Sequence, residues 1–117
     1  MLDFLKNLLS KEKAYQEMGA EEFEKALKTT KKAMLLDVRH KHEFDAEKIP
    51  NAINLDVRMP NFKDKIANYD PKKTYFVYCQ SGKRSAKACT EMSKLGFEKV
   101  INLVGGINQY EGKVIIK

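Results

Sequence analysis

The sequence predicts an α/β domain, with a mostly parallel central sheet flanked by helices on both faces. Three observations carry this. Apolar runs alternate along the chain with helix-patterned stretches, as strand–helix–strand units require. The runs AMLLDV (33–38) and TYFVY (74–78) are continuous rather than alternating, which fits strands covered on both faces. Turn signals separate the elements, among them DPKK at Asp70–Lys73 and the glycine at Gly96.

Taken in order, Ala14–Met18 reads as a short first strand. A helix then opens after Gly19 and runs through about Leu27. AEEFEKAL places acids in its first turn, and Phe23, Ala26 and Leu27 on one face. Ala33–Val38 is the second strand. A short helix is expected over Glu43–Lys48, a brief strand over Ala52–Leu55 and another short helix over Asn61–Asn68. Thr74–Tyr78, all β-branched and aromatic, is the clearest strand. Ser85–Leu95 is the clearest helix, with Ala88, Cys89, Met92 and Leu95 on one face and Gly96 as its C-terminal cap. Lys99–Val104 is a further strand, and GGINQY predicts a last short helix.

At 117 residues the chain is one domain with a short arm: residues 1–13, then a domain over 14–117. The arm, MLDFLKNLLSKEK, places Leu2, Phe4, Leu5, Leu8 and Leu9 on one side of a possible amphipathic helix. Its apolar segment lacks a basic leader and a small-residue cleavage site, so it is a poor signal peptide. A loosely held arm is expected; docking on the domain or on another copy, and attachment to a membrane surface, are the alternatives. No apolar run approaches the ~18 residues of a membrane span. Two cysteines, Cys79 and Cys89, are too few for a disulfide framework, which favours a reducing cytoplasm. The net charge of +6 favours anionic partners in general. The lysines are scattered, so a solvated surface is expected and no nucleic-acid site.

The chemistry concentrates at CQSGKRS, Cys79–Ser85. In an open α/β sheet, ligands sit beyond the carboxyl ends of the strands, and Cys79 lies at such an end. Gly82 permits the tight turn, and a turn entering a helix points several N–H groups inward. Lys83 and Arg84 put cations at a helix start, where acids are favoured. A negative group in the turn would resolve that conflict, and a Cys79 thiolate is the candidate, since amides and cations favour it over the thiol. The plainer alternative is a small buried hydrophobe. That description is expected to fit Cys89, on the apolar face of its helix. His40 and His42 have no further ligands at metal-site spacing and are expected to be exposed loop residues.

Four stretches stand in order along the chain: LLDVRHKHEF (Leu35–Phe44), IPNAINL (Ile49–Leu55), CQSGKRS and VGGINQYEGKV (Val104–Val114). They look like the motifs of single-domain rhodanese-like proteins of the thiosulfate sulfurtransferase family, which the chain resembles from about Ala14 to Val114. The resemblance implies a rhodanese-like fold and a persulfide carried by Cys79. It implies that the main-chain amides of Gln80, Ser81, Gly82, Lys83, Arg84 and Ser85 surround the sulfur. It carries Asp37 and Arg39 over as supports of the loop; the alternative, which we favour, is a structural ion pair of Arg39 with Glu43. Glu47 and Lys48 stand where the family usually has glycine and histidine, and Tyr110 where it usually has tryptophan.

The implied activity moves sulfane sulfur from thiosulfate or a similar small donor to cyanide or a thiol, with no metal or organic cofactor. Lys83 and Arg84 would attract the anionic donor. A carrier or sulfide-sensing module handing sulfur to a protein partner is the alternative. A cysteine-dependent phosphatase or arsenate reductase is disfavoured. Arg84 follows Cys79 after four intervening residues, where those loops use five.

Overall fold

A computed structural model describes residues 14–117. The expected arm over residues 1–13 lies outside the described residues. Five strands form one parallel sheet: β1 (Gln16–Met18), β2 (Met34–Asp37), β4 (Ile53–Asn54), β5 (Thr74–Tyr78) and β6 (Lys99–Leu103), in the order β1-β6-β5-β2-β4. The helices are α1 (Ala20–Thr29), α2 (Lys41–Ala46), α3 (Phe62–Ile66), α4 (Lys83–Lys94) and α5 (Gly106–Gln109). Among the described residues, no helix is long and apolar enough to cross a membrane.

The continuous apolar runs divide their side chains between the two faces, because successive residues of a strand point opposite ways. Leu36, Val38, Tyr75, Val77, Cys79 and Val100 pack on one face with Phe62 and Ile66 of α3 and Ala88, Cys89 and Met92 of α4. Leu35, Phe76, Tyr78, Ile101 and Leu103 pack on the other with Phe23 of α1 and Ile107 of α5. Phe23 meets Phe76 edge-on at 5.3 Å, one of the geometries that aromatic quadrupoles favour. In α1, Glu21 and Glu22 occupy the first turn and Lys28 the last, as the helix dipole prefers.

The structure departs from the expected elements at several points, beginning with α1, which runs on to Thr29, and α3, which is shorter than Asn61–Asn68. The second helix is Lys41–Ala46, not Glu43–Lys48. Glu47 is already extended, its carbonyl taken by Arg39 Nη2, and Glu47–Lys48 form β3. That strand pairs antiparallel with β7 (Ile115–Ile116), which gives no sequence signal at two residues long. Helix α4 starts two residues earlier than expected, directly after the left-handed Gly82. Leu95 is not on the buried face. It stands past the last helical turn and is 44% exposed, while Gly96 (φ 95°) swings Phe97 back against Tyr75 in its place.

Candidate active site

Cys79 follows the last residue of the central strand β5. Three donors converge on its sulfur: the amide of Gly82 at 3.1 Å, the amide of Ser85 at 3.3 Å and the hydroxyl of Ser85 at 3.3 Å. A helix start leaves amides without intrahelical acceptors. No N-cap side chain accepts one in α4. The Cys79 sulfur takes that position and accepts from the third helical residue. Gly82 turns the chain at φ 100°, and a Cβ there would stand 3.1 Å from the Gly105 amide nitrogen. Of the six amides expected around the sulfur, those of Gly82 and Ser85 donate to it; the Ser85 hydroxyl is an addition.

The loop is held from three sides. From α5, the Ile107 and Asn108 amides donate to the carbonyls of Cys79 (2.9 Å) and Gln80 (3.2 Å), and the Gln80 side-chain amide donates to Asn108 Oδ1. Gly106 makes this approach possible, since its Cβ would fall on the Gln80 carbonyl and 2.6 Å from the Cys79 oxygen. From the end of β2, the Arg39 guanidinium donates to Asp37 through Nε and Nη2 and reaches Gln80 Oε1 through Nη1 at 2.9 Å. Asp37 and Arg39 are both buried, so this pair has its hydrogen bonds satisfied internally. From α2, Glu43 grips Arg84 through two bonds of 2.8 and 2.9 Å.

Those pairings correct the expected ion pair. Arg39 goes to Asp37, and Glu43 goes to Arg84 across 41 residues of sequence. They also change the electrostatics of the loop. The Arg84 charge at the helix start is matched by a carboxylate, so it is not left facing the sulfur alone. Lys83 is exposed. The hydrogen bonds from Arg84 hold the Glu43 carboxyl down at about 2 against the opposing effect of its burial.

Cys79 is fully buried, so a reagent reaches the sulfur only as the covering side chains shift. Cys89, also fully buried, packs in the same cluster; burial first and the neighbouring Cys79 second push its thiol up. Of the two histidines expected to be exposed in a loop, His42 is exposed but lies within α2, and His40 is half-buried. It precedes α2, and its Nδ1 lies 2.6 Å from Asp56 Oδ2, while His42 stacks beside it with ring centroids 5.7 Å apart. Among the described residues, no three His, Cys, Asp or Glu side chains gather as a metal site would need. A cavity of about 460 Å³ lies on the α1 face, lined by Leu27, Ala33, Leu35, Ile49 and Tyr110 among others, and includes no residue of the Cys79 loop.

Sequence reasoning missed Asn102 and Asn108. Asn102 Nδ2 lies 3.3 Å from the Gly82 carbonyl. A polar residue inside the strand KVINL was the available signal, since a buried amide needs partners.

The site is a cysteine loop at the carboxyl edge of a parallel sheet, cradled by amides. The rhodanese-like domain family model matches residues 19–113, and the chain belongs to that family. A sulfurtransferase of Allochromatium vinosum is 30% identical over 91 residues, covering 78% of this chain and 83% of that protein. YrkF of Bacillus subtilis, provisionally named a sulfur carrier protein, is 29% identical over 97 residues; the match covers 83% of this chain but only 51% of YrkF. The crystal structure of a rhodanese-related protein from Thermoplasma volcanium is 28% identical and superposes with a TM-score of 0.75, covering 88% of this chain and all of that one.

Proposed function

We propose that this protein is a sulfurtransferase that carries sulfane sulfur as a persulfide on Cys79. The observation that carries the proposal is the convergence of three hydrogen-bond donors on one sulfur atom at the end of the central strand. Donors aimed at a sulfur favour its ionised form, and the thiolate is the nucleophile. It attacks the outer sulfur of thiosulfate or a similar donor. A new S–S bond forms, the donor's S–S bond breaks, and its electron pair leaves on sulfite. The acceptor, cyanide or a thiolate, then attacks the terminal sulfur and returns the Cys79 thiolate, so ping-pong kinetics follow. Charge on the persulfide stays within reach of the cradle amides and the start of α4.

The loop residues divide by role. Gly82 and Ser85 contact the sulfur, whereas Gln80 acts as a tie to Arg39 and Asn108. Asp37 orients Arg39, and through it the loop. Lys83 is the exposed cation that would draw an anionic donor. Ser81, at the exposed tip of the turn, would meet the incoming donor first. The engagement of Arg84 by Glu43 weighs against phosphate-ester or arsenate chemistry, which needs that charge turned towards an oxyanion.

A carrier that hands its sulfur to a protein partner is the second possibility, favoured by the likeness to YrkF. Turnover separates the two. Steady thiocyanate production from thiosulfate and cyanide is expected of the enzyme. A single loading event without turnover would replace that assignment with the carrier.

A further inference from the structure

We propose that Asn102 is a positioning residue that occupies the Gly82 carbonyl and so leaves the single hydroxyl proton of Ser85 for the Cys79 sulfur. This rests on Cys79 as the reacting thiol. The Ser85 hydroxyl has one proton and two acceptors in range, Cys79 Sγ at 3.3 Å and the Gly82 carbonyl at 3.2 Å. Given to the carbonyl, that proton does nothing for a thiolate. The carbonyl has two lone pairs and two other donors: the Ala86 amide at 3.1 Å and Asn102 Nδ2 at 3.3 Å. With both engaged, the carbonyl is filled and the hydroxyl turns to sulfur.

The amide orientation of Asn102 is fixed by its neighbours. Nδ2 lies between two acceptors, the Gly82 carbonyl and, also at 3.3 Å, Glu17 Oε2 on the paired strand β1. Asn102 is 2% exposed, and its Oδ1 has no hydrogen-bond partner among the described residues. An apolar side chain would avoid that unmet acceptor. An amide at this point in β6 is therefore better explained by the bond it donates than by packing.

The test is the rate of Cys79 alkylation by iodoacetamide against pH, resolved from Cys89 by peptide mass analysis. Other ionisable groups near the loop are Lys83, Arg84, Cys89 and Glu91 on α4, Glu43 on α2, Asp37 at the end of β2 and Arg39 after it, His40 with Asp56, and Glu17 on β1; all stay unchanged in the variants. Asn102→Leu and the smaller Asn102→Ala are each expected to move the profile to higher pH. They should slow the reaction at pH 7 roughly three- to tenfold, a part of what a hydrogen bond to a charged group contributes. Ser85→Ala should do the same, and adding Asn102→Leu to it should change nothing further. A profile unmoved by either Asn102 variant, or an Asn102 effect undiminished in the Ser85→Ala background, overturns the proposal. In the unsubstituted protein, the Asn102 side-chain amide protons should shift in NMR spectra as Cys79 ionises; silence through that titration overturns it even where the variants do not fold. Sulfur loading is scored separately. If wild-type protein takes no sulfur while the coupling holds, the sulfurtransferase assignment fails and the positioning role stands.

Discussion

The Glu43 carboxylate accepts from the His40 amide at 3.1 Å and from both ends of the Arg84 guanidinium. It therefore closes the first turn of α2 and ties that helix to the start of α4. Its pKa is lowered from 4.5 to about 2, chiefly by the Arg84 hydrogen bonds. A carboxyl held lower in the folded state contributes stability that is full above about pH 4.5 and lost as the pH falls towards 2. Glu43→Gln should thus flatten the fall of melting temperature between those limits; an unchanged acid limb would show that the pair contributes nothing. The two cations of the loop should part company. Lys83→Ala is expected to raise the KM for thiosulfate, with a smaller effect at high salt, and to leave the melting temperature unchanged. Arg84→Ala strands a partly buried carboxylate and should cost about 1–3 kcal/mol of stability. Equal behaviour of the two variants in melts and kinetics would mean that the Glu43 clamp is not structural.

At the scale of elements, α5 supports the loop and α4 supports the core. Gly106 opens α5 with φ 63° and lies against the Cys79 and Gln80 carbonyls. Gly106→Ala should push the loop from its place, lowering stability by roughly 2–4 kcal/mol and sulfur loading with it. Retained loading at wild-type rate would remove α5 from the account. On α4, Met92 is fully buried whereas Leu95 is 44% exposed. Met92→Ala should cost about 2–5 kcal/mol and Leu95→Ala less than about 0.5 in denaturant melts. Comparable losses would restore Leu95 to the core. Periodicity alone could not separate the two, because both lie on the apolar stripe. What separates them is where the helix ends, and that is set by the Gly96 turn and the burial of Phe97. Strands β2 and β5 were legible for the converse reason. Packed on both faces, they are apolar along nearly their whole length, Asp37 and Thr74 apart, and Thr74–Tyr78 is the span expected. The two-residue β3 and β7 carry no such pattern.

Across the whole molecule, the sequence placed Cys79, Gly82 and the start of α4 in one loop because they are neighbours in the chain. It could not pair Arg84 with Glu43, or Asn102 with Gly82, because those contacts join segments distant in sequence. Arg39 shows a different limit: two carboxylates lie close in sequence, Glu43 at i+4 and Asp37 at i−2, and the buried Asp37 takes the pair. The sheet order explains the assembly, since β5 stands between β2 and β6 and both neighbours deliver supports to its carboxyl end. The complete burial of Cys79 makes access a property of the assembled domain, so bulky thiol reagents should react far more slowly than iodoacetamide; equal rates would mean the thiol is open in solution. The central claim, sulfur carried on Cys79, is tested most directly by intact mass after incubation with thiosulfate. Wild-type protein should gain the mass of one sulfur atom and Cys79→Ser none. A wild-type protein that gains nothing, or a variant that still gains a sulfur, would contradict it.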